Sequence, residues 1–268
     1  MLAISGFSTV EACQTRALLT DIDDTLTTEG KLDAGAYDAL WRLRQAGILV
    51  VAVTGRPAGW CDLIARQWPV DGVIGENGAL AFYEEKGRMR RLYHPEAAES
   101  DARQRLAEIR AEVLEKIPGS RVATDQPYRM FDLAIDFCEE EPDLGLEAAW
   151  AIKDIFEKHG AQAKVSSIHV NGWFGSYDKL AMMHILARER WQQEPAQTQQ
   201  TSMYCGDSPN DEPMFGFFPV SCAVANIAPF VSSMTQLPRY VSAKAGGEGF
   251  AEIVETLLAK RLQRADPR

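Results

Sequence analysis

The strongest constraint on this chain is the unbroken apolar run at residues 48–53, ILVVAV. A strand with one wet face alternates apolar and polar residues, whereas a continuous β-branched run marks a parallel strand covered on both faces. Such a strand requires neighbours in its sheet and helices above and below. The flanking sequence supplies them. Residues 17–22 (ALLTDI) read as a second short buried strand running into an acidic turn. Between the two, Tyr37, Leu40, Trp41 and Leu43 fall at helical spacing, and Gly47 provides a stop. A helix follows residues 54–57 (TGRP), and residues 72–74 read as another strand. This alternation predicts an α/β fold, a doubly wound, Rossmann-like parallel sheet.

Between residues 86 and 175 the rhythm changes. A long charged helix at 101–116, a strand at 133–137, a helix at 146–159 and a strand at 165–174 read as a separate α+β insertion. The alternation resumes with a helix at 178–191, then a Gln-rich stretch at 192–200 that reads as a surface loop. Strands at 202–205, 222–224 and 240–241 precede a closing amphipathic helix at 249–262. The expected organisation is a core made of residues 1–82 and 178–268, interrupted by a unit at 83–177.

At 268 residues the chain suits one or two domains, and 46% hydrophobic content is enough to bury a core. A formal net charge of −10 disfavours nucleic acid as a partner, because an acidic chain repels the phosphate backbone. The five cysteines are odd in number, widely spaced and without a CxxC pair. Zinc-finger and disulfide readings therefore fail, and reduced cytosolic thiols are expected. Residues 1–16 lack the basic n-region of a signal peptide, and no apolar stretch approaches bilayer length. A cytoplasmic chain without a membrane partner is expected.

Four short motifs carry the chemistry, three at the carboxyl ends of predicted strands and one on the helix after the insertion. Open α/β sheets bind ligands at that strand edge. Asp21 and Asp23, in the run DIDDTL, can point into one cleft as nucleophile and as general acid and base, although an acidic turn or helix cap reads the same way. Thr54-Gly55-Arg56 offers a hydroxyl and backbone N–H groups to a phosphate oxygen, or simple N-capping. Lys179 opens a helix, where the macrodipole opposes a cation and a neighbouring anion would compensate it. Asp207 and Asp211, in GDSPND, place two carboxylates on one turn that suits a hard divalent cation but is too short for an EF-hand.

Taken together and in this order, the four motifs resemble the signature motifs of the haloacid dehalogenase-like superfamily. The resemblance spans nearly the whole chain and includes Glu76-Asn77-Gly78-Ala79, Ala225-Asn226-Ile227 and Tyr240-Val241. The insertion stands where type IIB members, the Cof-type and sugar-phosphate phosphatases, carry an α/β cap. Two positions depart from the commonest pattern: Leu180 follows Lys179 in place of Gly, and Asp24 stands where Gly is frequent. The resemblance implies a phosphatase acting on a small-molecule phosphate ester. Asp21 would form an aspartyl phosphate, Asp23 would be acid and base, and Lys179 would neutralise charge. Mg2+ would be held by Asp21, the Asp23 carbonyl and Asp207, with Asp211 close by, while Thr54 and Gly55 would meet the phosphate, Asn210 would orient the phosphate or Asp211, and Arg56 would reach the phosphate or the cap. Substrate choice is expected in the cap, on a strand face made of Ser167, His169, Asn171 and Trp173, with Ile168 and Val170 packed on the cap helices. A phosphohexomutase and a non-catalytic phosphate-ligand binder are the alternatives.

Overall fold

The computed structural model describes residues 1–97 and 101–265. The apolar run forms the strand Leu49–Val53 inside a nine-stranded sheet. From one edge, the order is Leu2–Ala3, Tyr240–Val241, Ser221–Ala223, Ser202–Gly206, Ala17–Thr20, Leu49–Val53, Gly72–Gly75, Leu80–Glu85 and Arg88–Tyr93. The first seven pair in parallel, and the last two form an antiparallel hairpin at the far edge. Alternate residues of the run enter different cores. Val50 and Ala52 pack with the helices Ala34–Gln45, Ala58–Gln67 and Gly246–Ala265, whereas Val51 and Val53 pack with Lys179–Trp191 and Glu212–Phe217. Both faces are covered, which is why the sequence needed no polar residue there.

A second, four-stranded antiparallel sheet lies within the insertion, in the order Gln162–Val165, His169–Trp173, Leu133–Asp136, Arg121–Val122. The helices Ala102–Lys116 and Gly145–Lys158 bury Ile109, Val113, Ile152 and Phe156 against it, a core separate from those of the large sheet.

Three expectations differ from what is observed. The large sheet keeps the chain through Tyr93, beyond residue 83, because the hairpin Leu80–Glu85 and Arg88–Tyr93 pairs with Gly72–Gly75. The expected strand at 165–174 is a hairpin, Gln162–Val165 and His169–Trp173, turned at 166–168. There Ser166 Oγ accepts the His169 N–H at 2.9 Å, a local side-chain bond that competes with extended structure. The expected loop at 192–200 contains the helix Pro195–Thr201. Pro195 opens it, Thr198 is buried, and Gln199 Nε2 donates to the Phe217 carbonyl at 2.8 Å.

Candidate catalytic site

The site grows from the ends of three neighbouring strands. Ala17–Thr20 lies at the centre of the parallel sheet, where the chain order reverses between Leu49–Val53 on one side and Ser202–Gly206 on the other. Such a switch point leaves a crevice at the carboxyl ends of the strands. Asp21 is the next residue, and its N–H extends the ladder by one bond to the Cys205 carbonyl at 2.8 Å. Thr54 and Asp207 follow the two flanking strands. Oxygens of Asp21, Asp207 and Asp211 lie within 4.8 Å of one another, and all three residues are buried.

Lys179 enters this cluster from the first turn of its helix. Its Nζ donates to Asp21 Oδ1 at 2.7 Å and to Asp211 Oδ1 at 2.6 Å, and the residue is 2% exposed. Asp178 caps the helix by accepting the Ala181 N–H at 2.8 Å. The helix start is fixed from below by Gly78, whose φ is +108° and where a Cβ would lie 2.0 Å from the Asp178 carbonyl oxygen. Only glycine lets this turn close on the helix. Gly206 does the same for Asp211: a Cβ there would stand 2.2 Å from Asp211 Oδ2.

Burial pushes the Asp21 carboxyl well above its usual range, against the pull of Lys179, and burial with the charge of Asp21 does the same to Asp207. Burial alone would lower the Lys179 ammonium, but the Asp21 and Asp211 carboxylates outweigh it and raise it. Three ionised carboxylates and one ammonium sum to −2, which a divalent cation would balance. The two turn aspartates differ in what they have left to offer. Asp211 Oδ1 accepts from Lys179 Nζ and from Tyr204 OH at 2.5 Å, while its Oδ2 accepts the N–H groups of Asp207 at 3.0 Å and Ser208 at 3.3 Å. Asp207 receives only long bonds, from Thr25 Oγ1 at 3.3 Å and Asn226 Nδ2 at 3.2 Å. Asp207 therefore has more accepting capacity left than Asp211. All these donors are hard oxygens, the set that suits magnesium rather than zinc.

Asp23 faces outward. Its carboxylate accepts Arg56 Nε at 2.8 Å and Thr54 Oγ1 at 3.4 Å, while Thr54 Oγ1 accepts the Arg56 N–H at 2.9 Å. The other Arg56 nitrogens reach Asp125 at 3.3 Å and Glu139 at 2.7 Å, both in the insertion. Arg129 answers from the insertion, donating to the Gly55 carbonyl at 2.7 Å. Glu76 completes the junction. Its carboxylate accepts the N–H of Met130 at 2.8 Å and of Phe131 at 2.7 Å, together with the Ala58 N–H at 3.0 Å. A narrow cleft lined by Asp21, Asp23, Gly55, His169, Asn171 and Asn210 leads to a cavity of about 580 Å³ between the core and the insertion.

A family model described as haloacid dehalogenase-like hydrolase matches residues 18–112. Among solved structures, Thermoplasma acidophilum 0175 superposes with a TM-score of 0.69 at 19% identity, covering 91% of this chain and 98% of that one. The HAD subclass IIB sugar phosphatase BT4131 gives 0.62 at 15% identity, with 90% and 98% covered. Residues 18–112 are thus similar to haloacid dehalogenase-like hydrolases, and the fold is similar to that of these solved structures. The sucrose-phosphatase of Synechocystis, solved with sucrose and phosphate, aligns at a TM-score of 0.59 and 16% identity over 91% of this chain and 98% of its own. No curated protein sequence matches significantly. Among the described residues, no helix is long and apolar enough to cross a membrane.

Asp21, Asp23, Thr54, Gly55, Lys179, Asp207, Asn210 and Asp211 lie together at the strand edge. Arg56 does not point a free nitrogen at a phosphate position, since its side-chain nitrogens lie on carboxylates. His169 and Asn171 line the cleft, bonded to Glu139 at 2.7 Å and Asp132 at 3.0 Å. Trp173 shares their strand face but lies elsewhere. Four residues along a strand is about 13 Å, which carries it past the cleft to stack on Tyr177 at 5.7 Å and to donate to the Tyr177 carbonyl at 3.2 Å. Val170 packs in the insertion core as expected, whereas Ile168 sits in the turn and lines the cavity. Arg129 and Glu139 escaped the sequence reading, and Glu76 entered it without a role. Their partners are distant backbone atoms and tertiary ion pairs, and the only local trace was the Glu-Asn-Gly turn itself.

Proposed function

We propose that the chain is a magnesium-dependent phosphomonoester hydrolase that acts through an aspartyl phosphate on Asp21, on a sugar phosphate or phosphorylated glycoside. The single observation that carries this reading is the buried placement of Asp21 between Lys179 and Asp207 at the end of the central strand, with Asp23 facing a cavity. The insertion that follows Tyr93 and ends before Lys179 acts as the cap. Asp21, Asp207 and the main-chain carbonyl of Asp23 would hold a magnesium ion, which would supply positive charge against the phosphate oxygens and ease attack by an anionic nucleophile. Asp211 serves by holding Lys179 and the 207–208 turn.

Asp21 attacks phosphorus in line, and the bond to the leaving oxygen breaks. Asp23 gives that oxygen a proton and later takes one from the water that attacks the aspartyl phosphate. Arg56 aims the Asp23 carboxyl and couples it to the cap acids Asp125 and Glu139. Thr54, Gly55 and Asn210 border the phosphate position, while His169 and Asn171 meet the leaving group. Lys179 offsets the like-charge repulsion between carboxylate and phosphate.

Purified protein assayed against a panel of phosphomonoesters should release phosphate with added magnesium and lose that activity on chelation. Asp21→Asn should lose both turnover and covalent labelling. Full activity after exhaustive chelation, or a phosphoryl group found on another residue by mass spectrometry, would remove the reading.

A further inference from the structure

The cavity outside Asp23 has a charge pattern that limits what the leaving group can be. Its volume of about 580 Å³ lies in the range of pockets that take small organic ligands. Among the described residues, its lining sets the carboxylates Asp23, Asp24, Glu29, Glu139 and Asp143 against the cations Lys31 and Arg56. Arg56 is already matched by Asp23, Asp125 and Glu139 before any ligand enters. With that group set aside, Lys31 faces Asp24, Glu29 and Asp143, one positive charge against three negative. Glu29 and Lys31 are brought there by the small hairpin Thr27–Thr28 and Lys31–Leu32, and Asp143 by the insertion on the opposite wall. The ammonium of Lys179 lies at the other, buried end, among the carboxylates of Asp21 and Asp211.

We propose that this site selects phosphate monoesters whose leaving group is uncharged or cationic, a polyol or an amino sugar, and rejects esters that carry a second anion. The proposal rests on the phosphatase reading above. Carboxylates accept hydrogen bonds from hydroxyl and ammonium groups, whereas a second phosphate or carboxylate in the cavity meets three carboxylates for the single ammonium of Lys31. The same pattern weighs against a mutase, since a hexose bisphosphate would lodge its second phosphate here while the first lies at Asp21.

The test is steady-state phosphate release from esters that share one reacting 6-phosphate and a similar body. Glucose 6-phosphate and glucosamine 6-phosphate supply the uncharged and cationic cases, and 6-phosphogluconate and glucose 1,6-bisphosphate the anionic ones. At low salt, kcat/KM for the first pair should exceed that for the second by roughly tenfold or more, a gap that narrows near 1 M salt, where the screening length falls to about 3 Å. The double variant Glu29→Gln, Asp143→Asn should narrow the gap at low salt by raising the anionic esters relative to glucose 6-phosphate. Equal or better kcat/KM on the anionic pair would overturn the charge selection and leave the phosphatase reading standing. No release from any of these esters, nor from an activated aryl phosphate with magnesium, would bring down both.

Discussion

Replacing Glu76 with Gln isolates the joint between the core and the insertion. The carboxylate is fully buried and accepts three well-placed backbone N–H groups, two of them from the insertion. Burial raises its pKa first and the charge of Asp132 adds to that, while the backbone N–H donors pull the other way. The balance stands at about 7, against an ordinary 4.5. A folded value above the unfolded one means that the folded chain holds this proton more tightly. The associated stability is fully present below the unfolded pKa and is lost as pH rises through the folded one. Each unit is worth about 1.4 kcal/mol, so wild type should lose about 3 kcal/mol between roughly pH 5 and pH 7.5. A Gln side chain does not titrate and escapes that loss. Urea unfolding of both proteins across this range measures the difference directly. Wild type should be favoured most at the acid end, with the difference between the two proteins shrinking toward neutral pH. A flat difference, or one that grows with pH, would show that the N–H donors hold Glu76 charged and that burial does not dominate.

Gly78→Ala would drive a Cβ to 2.0 Å from the Asp178 carbonyl at a positive φ, and a loss on the order of 4 kcal/mol or more is expected; a melting temperature matching wild type would refute the close approach. Asp211→Asn should lower kcat by about a hundredfold or more through Lys179 while leaving the magnesium requirement nearly unchanged, whereas Asp207→Asn should raise the magnesium concentration needed for half-maximal rate; a metal titration of both variants separates the two roles. His169→Ala and Asn171→Ala should lower kcat/KM for the natural ester by roughly ten- to a hundredfold. Trp173→Phe keeps the stacking on Tyr177 and should change kcat/KM less than about threefold, and a large loss there would return Trp173 to the cleft.

What was legible in the sequence was whatever is local. The run at 48–53 announced a strand covered on both faces, because its composition reflects its environment directly. Asp21, Thr54 and Asp207 were legible because each follows a strand, and strand ends at a switch point share one crevice. The hairpin hidden in 165–174 was not legible, since apolar and polar residues alternate from Ser167 to Asn171 and the break depends on the hydroxyl of Ser166. Arg56 was legible only as a choice between phosphate and cap. An arginine beside a phosphate loop looks like a phosphate ligand until the acids that claim it, Asp125 and Glu139, arrive from the insertion. Trp173 followed the correct face but lay too far along the strand, a distance that alternation alone does not encode.

The turn at residues 76–78 touches three things at once. Glu76 grips the backbone of the insertion, and its N–H donates to the Arg56 carbonyl at 3.1 Å. The Asn77 N–H donates to the Thr54 carbonyl at 3.2 Å, and Gly78 bears on the peptide that opens the Lys179 helix. These contacts are buried and tightly packed, so the turn has little room to yield in one direction while holding in another. A displacement of the insertion therefore reaches the hydroxyl of Thr54, the guanidinium of Arg56 and the ammonium of Lys179 together. An ester that failed to seat the insertion would find all three out of register, and Asp21 would face bulk water with its charge uncompensated. On the phosphatase reading, such a coupling would limit hydrolysis of esters that do not seat the insertion, without adding any group that touches the substrate.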